Sequence, residues 1–226
     1  MIFLTWLGYF SIGASLASHA NLIADRMISG ESFELPSRCP NCQFLLPLSD
    51  MIPIVSFLKL SGHCRYCQSQ IPLHLFWFEW LGGLFFARLD LTKFADLTTG
   101  ALFFFLLICA MTDSQDQTFE ISCLFGPILI ALFFSKWSWN QLNLIIGISW
   151  LLFIIVLLIL VKTDRLGMGD LLWFLILSVY LGFSSSLVLI LIACLLCLGW
   201  QTLIAFKNND RIAFVPFIAI AFFLLQ

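Results

Sequence analysis

Eight stretches of the chain are almost unbroken in apolar residues: 2–20, 73–90, 95–112, 119–135, 142–161, 171–183, 186–206 and 212–225. A helix of roughly 20 such residues crosses the ~30 Å hydrocarbon layer of a bilayer with its backbone hydrogen bonds satisfied internally. The pattern therefore predicts an all-α, polytopic membrane helical bundle of about eight spans. One long polar segment interrupts it, and reads as a small insert between spans one and two. The expected organisation is a first transmembrane span at 1–20, a cytoplasmic domain at 21–72, and a transmembrane domain at 73–226.

Composition agrees with that pattern. Hydrophobic residues make up 61% of the 226, charged residues 11%, and the chain holds 25 Phe and 8 Trp, with a mean hydropathy of +1.02. These values lie far from a soluble domain. The net charge of -2 says little about partners, and nothing suggests nucleic acid. The opening Met1-Ile-Phe-Leu-Thr-Trp6 lacks the positive region of a secretory signal, so the first stretch is expected to be a retained span. No repeat, low-complexity tract or heptad is visible.

Basic residues set the orientation. With 21–72 inside, alternate loops put Arg26, Arg38, Lys59, Arg65, Lys162, Arg165, Lys207 and Arg211 in the cytoplasm, leaving Arg88, Lys93 and Lys136 outside. That asymmetry follows the positive-inside rule.

The insert carries two Cys-x-x-Cys pairs, Cys39-Pro-Asn-Cys42 and Cys64-Arg-Tyr-Cys67, separated by residues 43–63. Two turns presenting four thiolates at this spacing suit a tetrahedral structural zinc site. In a segment with little apolar core, the metal would supply much of the folding free energy. Disulfides or redox thiols are the alternative, and a reducing cytoplasmic face argues against disulfides. The other cysteines, Cys109, Cys123, Cys194 and Cys197, lie in apolar stretches where Cys behaves as a small hydrophobe. Cys194-Leu-Leu-Cys197 has redox-like spacing but falls inside a span.

Two acids stand at apolar boundaries. Asp113 closes the stretch 95–112, and Asp170 opens 171–183 behind Gly167-Met-Gly169. A carboxylate next to hydrocarbon is costly and marks a candidate functional site. Two intervening spans return the chain to the same side, so both acids are expected at the cytoplasmic face. A pair of carboxyls sharing one proton is what an aspartic protease needs, one as general base for water and one to polarise the scissile carbonyl. The glycines are expected to let the backbone bend tightly. The bland alternative makes these ordinary helix-stopping acids, as Asp116 and Asp164 are expected to be, although Asp116 is close enough to Asp113 to compete.

These residues together resemble the type IV prepilin peptidases, the leader peptidases and N-methyltransferases of pilus, type II secretion and competence systems. Ser18, Asn21, Arg26 and Gly30-Glu-Ser32 echo the family's N-terminal run; Cys39, Cys42, Cys64 and Cys67 match its knuckles. Asp50-Met-Ile-Pro53, Gly62-His-Cys64 and Phe76-Trp-Phe-Glu79-Trp80 resemble its following segments. Its catalytic aspartates correspond to Asp113 and Asp170, the latter in the Gly-x-Gly-Asp run shared with presenilin-like proteases. Ala213-Phe-Val-Pro-Phe217 resembles a late family run. Departures are Glu120-Ile121 in place of a Pro-Asp pair, Val215 in place of Gly, and Ala17 in place of Gly, which suggests a divergent, competence-type member.

The resemblance implies a multi-pass enzyme of the bacterial cytoplasmic membrane acting on prepilins or pseudopilins in contact with lipid. It would cut after a Gly and methylate the new N-terminus with S-adenosylmethionine, beside a structural zinc. No glycine-rich methyl-donor loop is visible, so the methyl-donor site is not located. Glu79 is expected either to aid methylation or to be an interface acid paired with an Arg. A peptidase without methyltransferase activity, and a zinc-anchored membrane scaffold or carrier, are the other readings.

Overall fold

The computed structural model describes residues 2–117, 121–135, 144–204 and 212–226. Lys136, Lys207, Arg211 and Glu120, used above, lie outside the described residues. Among the described residues the elements are helical: α1 (Ile2–Ser29), α2 (Val55–Lys59), α3 (Leu73–Arg88), α4 (Phe94–Asp116), α5 (Phe125–Phe133), α6 (Leu144–Lys162), α7 (Met168–Leu181), α8 (Phe183–Ile204) and α9 (Val215–Leu225), with two short 3-10 turns. Extended pairing is limited to two isolated bridges. Each of the eight apolar stretches holds an α-helix. Three helices are long and apolar enough to cross a membrane, Phe94–Asp116, Leu144–Lys162 and Phe183–Leu203, while Ile121–Phe133, Met168–Leu181 and Val215–Leu225 are shorter apolar helices.

The chain divides into two compact units, Met1–Gly100 and Ala101–Gln226. In the first, α1 packs along α3 on a stripe of small residues. Gly13, Ala17, Ala20 and Ala24 are buried at the i, i+4, i+7 and i+11 spacing of one helix face. Gly13 and Ala17 of this stripe meet Gly82 of α3, where a Cβ added to Gly82 would lie 2.7 Å from the Gly13 carbonyl, and Gly83 makes room for the Phe10 ring. Small residues let two backbones approach where lipid, rather than water, is the competing solvent. Helix α1 runs past residue 20 to Ser29, its buried face continued by Ala24 and Arg26. It ends at Gly30, whose φ of +69° supplies the left-handed residue that commonly terminates a helix. The Arg26 guanidinium then donates to the carbonyls of Phe33 and Leu35, which holds the departing strand of chain against α1.

In the second unit α7 is the most enclosed helix, with Trp173 and Tyr180 fully buried. Its neighbours in this unit are α5, α6 and α8, and α8 in turn packs on α9. Gly182, at φ +89°, turns the chain from α7 straight into α8. Trp150 of α6 donates to Ser178 of α7 at 3.3 Å, the polar glue typical of helices in an apolar solvent. Otherwise α6 leaves most of its apolar surface open.

Candidate active site and cysteine cluster

The cysteine knuckles in the first unit are built twice to the same plan. The Cys39 N–H donates to Phe44 O and the Gln43 N–H to Cys39 O; likewise Cys64 N–H donates to Ser69 O and Gln68 N–H to Cys64 O. Gln43 (φ +59°) and Gln68 (φ +56°) make the matching left-handed turn after each pair. The bridges Arg38–Leu45 and His63–Gln70 close the two loops. All four Sγ atoms consequently lie within 4.8 Å of one another, and Cys39 Sγ is 3.8 Å from Cys67 Sγ. A tetrahedron with Zn–S bonds of about 2.3 Å has sulfur–sulfur edges of about 3.8 Å, so the four residues fit a closed zinc site. Two hydrogen bonds from Ser69 bring the Cys67 thiol down to about 6, towards the thiolate a metal requires.

An ion pair fastens the second knuckle. Arg65 grips Asp50 with Nε at 2.7 Å from Oδ2 and with Nη2 on the other oxygen, and the Asp50 side chain is 1% exposed. The Arg65 hydrogen bond holds the Asp50 carboxyl below its usual range. Phe44 and Tyr66, one from each knuckle, face each other with ring centroids 3.8 Å apart.

Among the described residues Glu79 forms no ion pair with an Arg. Its Oε2 accepts the backbone N–H of Ile54 at 2.7 Å, and Ser18 of α1 also donates to it. Ile54 has φ +64°, ψ -50°, and Val55 N–H reaches back to Pro53 O at 2.6 Å, a tight γ-turn that a β-branched residue rarely adopts. Glu79 thus anchors the strained turn that leads into α2. Sequence reasoning had the acid but not this partner, since a buried backbone N–H 25 positions away leaves no local signal.

The two boundary aspartates both lie in the second unit, within electrostatic range of each other. Asp113 lies in the last turn of α4 and Asp170 in the first turn of α7; both are half-buried, and the two carboxyls interact electrostatically. Asp170 sits three residues after the cap Gly167 and takes that residue's N–H, as a first-turn acid reaches back to its helix cap. Gly167 has φ -67°, ψ 146°, ordinary extended backbone, so the expected tight bend is absent. Its glycine is explained by space instead, because a Cβ there would stand 3.0 Å from Asp170 Oδ2. Asp113 Oδ2 accepts the N–H of Val215 at 3.0 Å, and the Phe214 N–H adds a second bond. Asp116 and Asp164 are exposed. Cys194 and Cys197 lie on α8, and none of the eight cysteines is in a disulfide.

Residues 11–92 match the family model of the bacterial peptidase A24 N-terminal domain. The chain is 28% identical over 196 residues to the prepilin leader peptidase/N-methyltransferase of Neisseria gonorrhoeae, covering 82% of this chain and 68% of that protein. It is 28% identical over 201 residues to the one from Dickeya chrysanthemi, covering 82% and 71% respectively. With the Myxococcus xanthus protein of the same name it shares 35% over 78 residues, which is 34% of this chain and 23% of that one. The chain is thus similar over most of its length to proteins named prepilin leader peptidase/N-methyltransferase, and its first part matches the domain model of that peptidase group. No solved structure matches it.

The family-model match holds α1 from residue 11, the knuckles and α3. It stops at residue 92, short of both aspartates. The argument for their chemistry is accordingly one of geometry.

Proposed function

We propose that the chain is a membrane-embedded aspartic endopeptidase that removes the leader of type IV prepilins or pseudopilins after a Gly and N-methylates the new N-terminal residue. The observation that supports the peptidase reading is the electrostatic interaction of Asp113 and Asp170, two half-buried acids at the ends of apolar helices. Two interacting carboxyls in a poorly solvated place ionise one at a time. The ionised one takes a proton from water as its oxygen attacks the Gly carbonyl; the protonated one hydrogen-bonds the carbonyl oxygen and gives it its proton. Collapse of the tetrahedral adduct re-forms the C=O, breaks the C–N bond and delivers a proton to the leaving amine. No covalent intermediate forms.

Methylation rests on the names of the relatives, with S-adenosylmethionine the donor it implies; no residues here are assigned to that donor. The four cysteines would hold zinc, which supplies rigidity to the insert when bound. We further propose a multi-pass protein of the bacterial cytoplasmic membrane with about eight spans, a cysteine domain at 21–72 and the peptidase at 73–226, with both aspartates at the cytoplasmic face. The Lys/Arg asymmetry of the loops supports that orientation.

The test is cleavage of a type IV prepilin by the purified full chain in detergent. Asp113→Asn and Asp170→Asn should each lower the rate at least about a hundredfold, the scale of a lost general acid or base. Processing by either variant at the wild-type rate would overturn the peptidase reading. Mass spectrometry of the mature N-terminus distinguishes a methylating enzyme from a peptidase alone.

A further inference from the structure

The N-terminus of α9 is aimed at Asp113. Pro216, near the start of the helix, has no N–H to offer, and the N–H groups of Phe217 and Ile218 turn back to Phe214 O at 3.0 and 3.3 Å. Val215 therefore holds the first-turn helical N–H left free for an outside acceptor, and it goes to Asp113 Oδ2 at 3.0 Å. The donor is rigidly placed. Val215 is 1% exposed, and Ile218, Ala219 and Phe222 on the same helix are fully buried. Phe222 stacks on Phe103 of α4 (centroids 6.2 Å, planes 16° apart), and Phe214 meets Phe174 of α7, one turn beyond Asp170, edge to face at 6.0 Å. The helix and its cap residue thus touch both aspartate-bearing helices, through Phe222 on α4 and Phe214 on α7.

We propose that Val215 is a positioning residue whose backbone N–H orients Asp113 and keeps the charge of the pair on it, making Asp113 the general base and Asp170 the acid. This rests on the aspartic-protease reading above. Asp113 accepts two backbone N–H groups at the positive end of α9, whereas Asp170 accepts one from its own cap. Hydrogen bonds to the charged form favour it, so the better-donated carboxyl holds the charge. The titratable groups facing the pair are Cys109 on α4 and, beside Asp170, Cys197 on α8. Among the described residues no Lys or Arg forms an ion pair with either aspartate. The interaction is with the backbone, so it does not depend on the side chain at 215.

The test replaces the Val215 amide by an ester in the full chain, using nonsense suppression with α-hydroxyisovaleric acid, and measures the pH dependence of prepilin cleavage. The ester removes the N–H while keeping the side chain and backbone angles. With Asp113 as base, the acidic limb should move up by about one pH unit, because a hydrogen bond to a charge is lost. Val215→Ala, which keeps the N–H, should leave the profile unchanged and controls for packing. An ester enzyme with an unmoved profile overturns the proposal. Movement of the alkaline limb instead overturns the base assignment. Active Asp113→Asn or Asp170→Asn enzymes would sink the protease reading itself, whereas dead variants beside an unmoved ester profile would sink only the role given to α9.

Discussion

The contact between α1 and α3 allows a sharp prediction from distances alone. A methyl group at Gly82 would lie 2.7 Å from the Gly13 carbonyl and 2.5 Å from Ala17 Cβ, against 3.4–4 Å for ordinary contact. Gly82→Ala must therefore open the two backbones by at least 0.7 Å, from 2.7 to 3.4 Å. Overpacking of this kind costs about 1–3 kcal/mol, while replacing a helical Gly by Ala returns up to ~1 kcal/mol. A net loss of about 1–2 kcal/mol is expected. In thermal unfolding of the full chain in detergent, followed by Trp fluorescence, that corresponds to a Tm lower by about 2–8 °C. Gly8→Ala and Gly199→Ala serve as controls, since nothing lies within 4 Å of a Cβ at either site; both should melt at or slightly above wild type. Gly13→Ala should resemble Gly82→Ala, and the double variant should cost less than the sum because the first methyl already separates the helices. A Gly82→Ala protein melting at or above wild type would refute the close-packing argument.

Other consequences follow. Cys64→Ser should release the metal that elemental analysis finds on purified wild-type protein; wild type without metal would reject the zinc site. Asp50→Asn should reduce amide protection around Cys64–Gln70 at neutral pH. Because Arg65 depresses the folded-state Asp50 ionisation, its stabilisation is present above the unfolded carboxyl value of ~4 and is lost as pH falls through the lower folded value. The gap between wild type and variant should therefore persist from pH 7 to about 5 and close in more acid solution; a constant gap would argue against the ion pair as its source. Glu79→Ala leaves the Ile54 N–H without its acceptor, at a cost of about 1–3 kcal/mol, and should speed hydrogen exchange over residues 51–60, whereas Glu79→Gln should restore most of the protection. Gly167→Ala puts a methyl 3.0 Å from Asp170 Oδ2 and should lower cleavage with little change in Tm; full activity would show that the carboxyl does not need that space.

Much of the site was legible because its chemistry is written locally. Four cysteines at fixed spacing imply one cluster whatever the surrounding fold, and the structure draws their sulfurs within 4.8 Å. An acid at the edge of an apolar stretch is similarly conspicuous, and the structure places Asp113 and Asp170 within electrostatic range in one unit. Less legible were the partners those acids take. Asp113 is held by a backbone N–H 102 residues later, and Glu79 by another in a γ-turn. A backbone amide has no residue type to betray it, so neither could be read from side-chain identity. The glycines misled in a related way. Gly167 resembled a bend, yet its backbone is ordinary and its missing side chain is what Asp170 uses.

Sequence by itself determined the class of the protein: apolar stretches long enough to satisfy their backbones as helices, a polar insert between the first two, and two knuckles able to hold a metal. Those properties depend on composition and near-neighbour spacing, which the covalent chain carries intact. Tertiary structure alone decided which surfaces meet. It set Gly13 and Ala17 of α1 against Gly82 of α3, chose the acceptors of the N–H groups at Ile54 and Val215, and half-buried Asp113 while leaving Asp116 exposed. Such choices come from packing in three dimensions, where residues far apart in sequence compete for the same few ångströms.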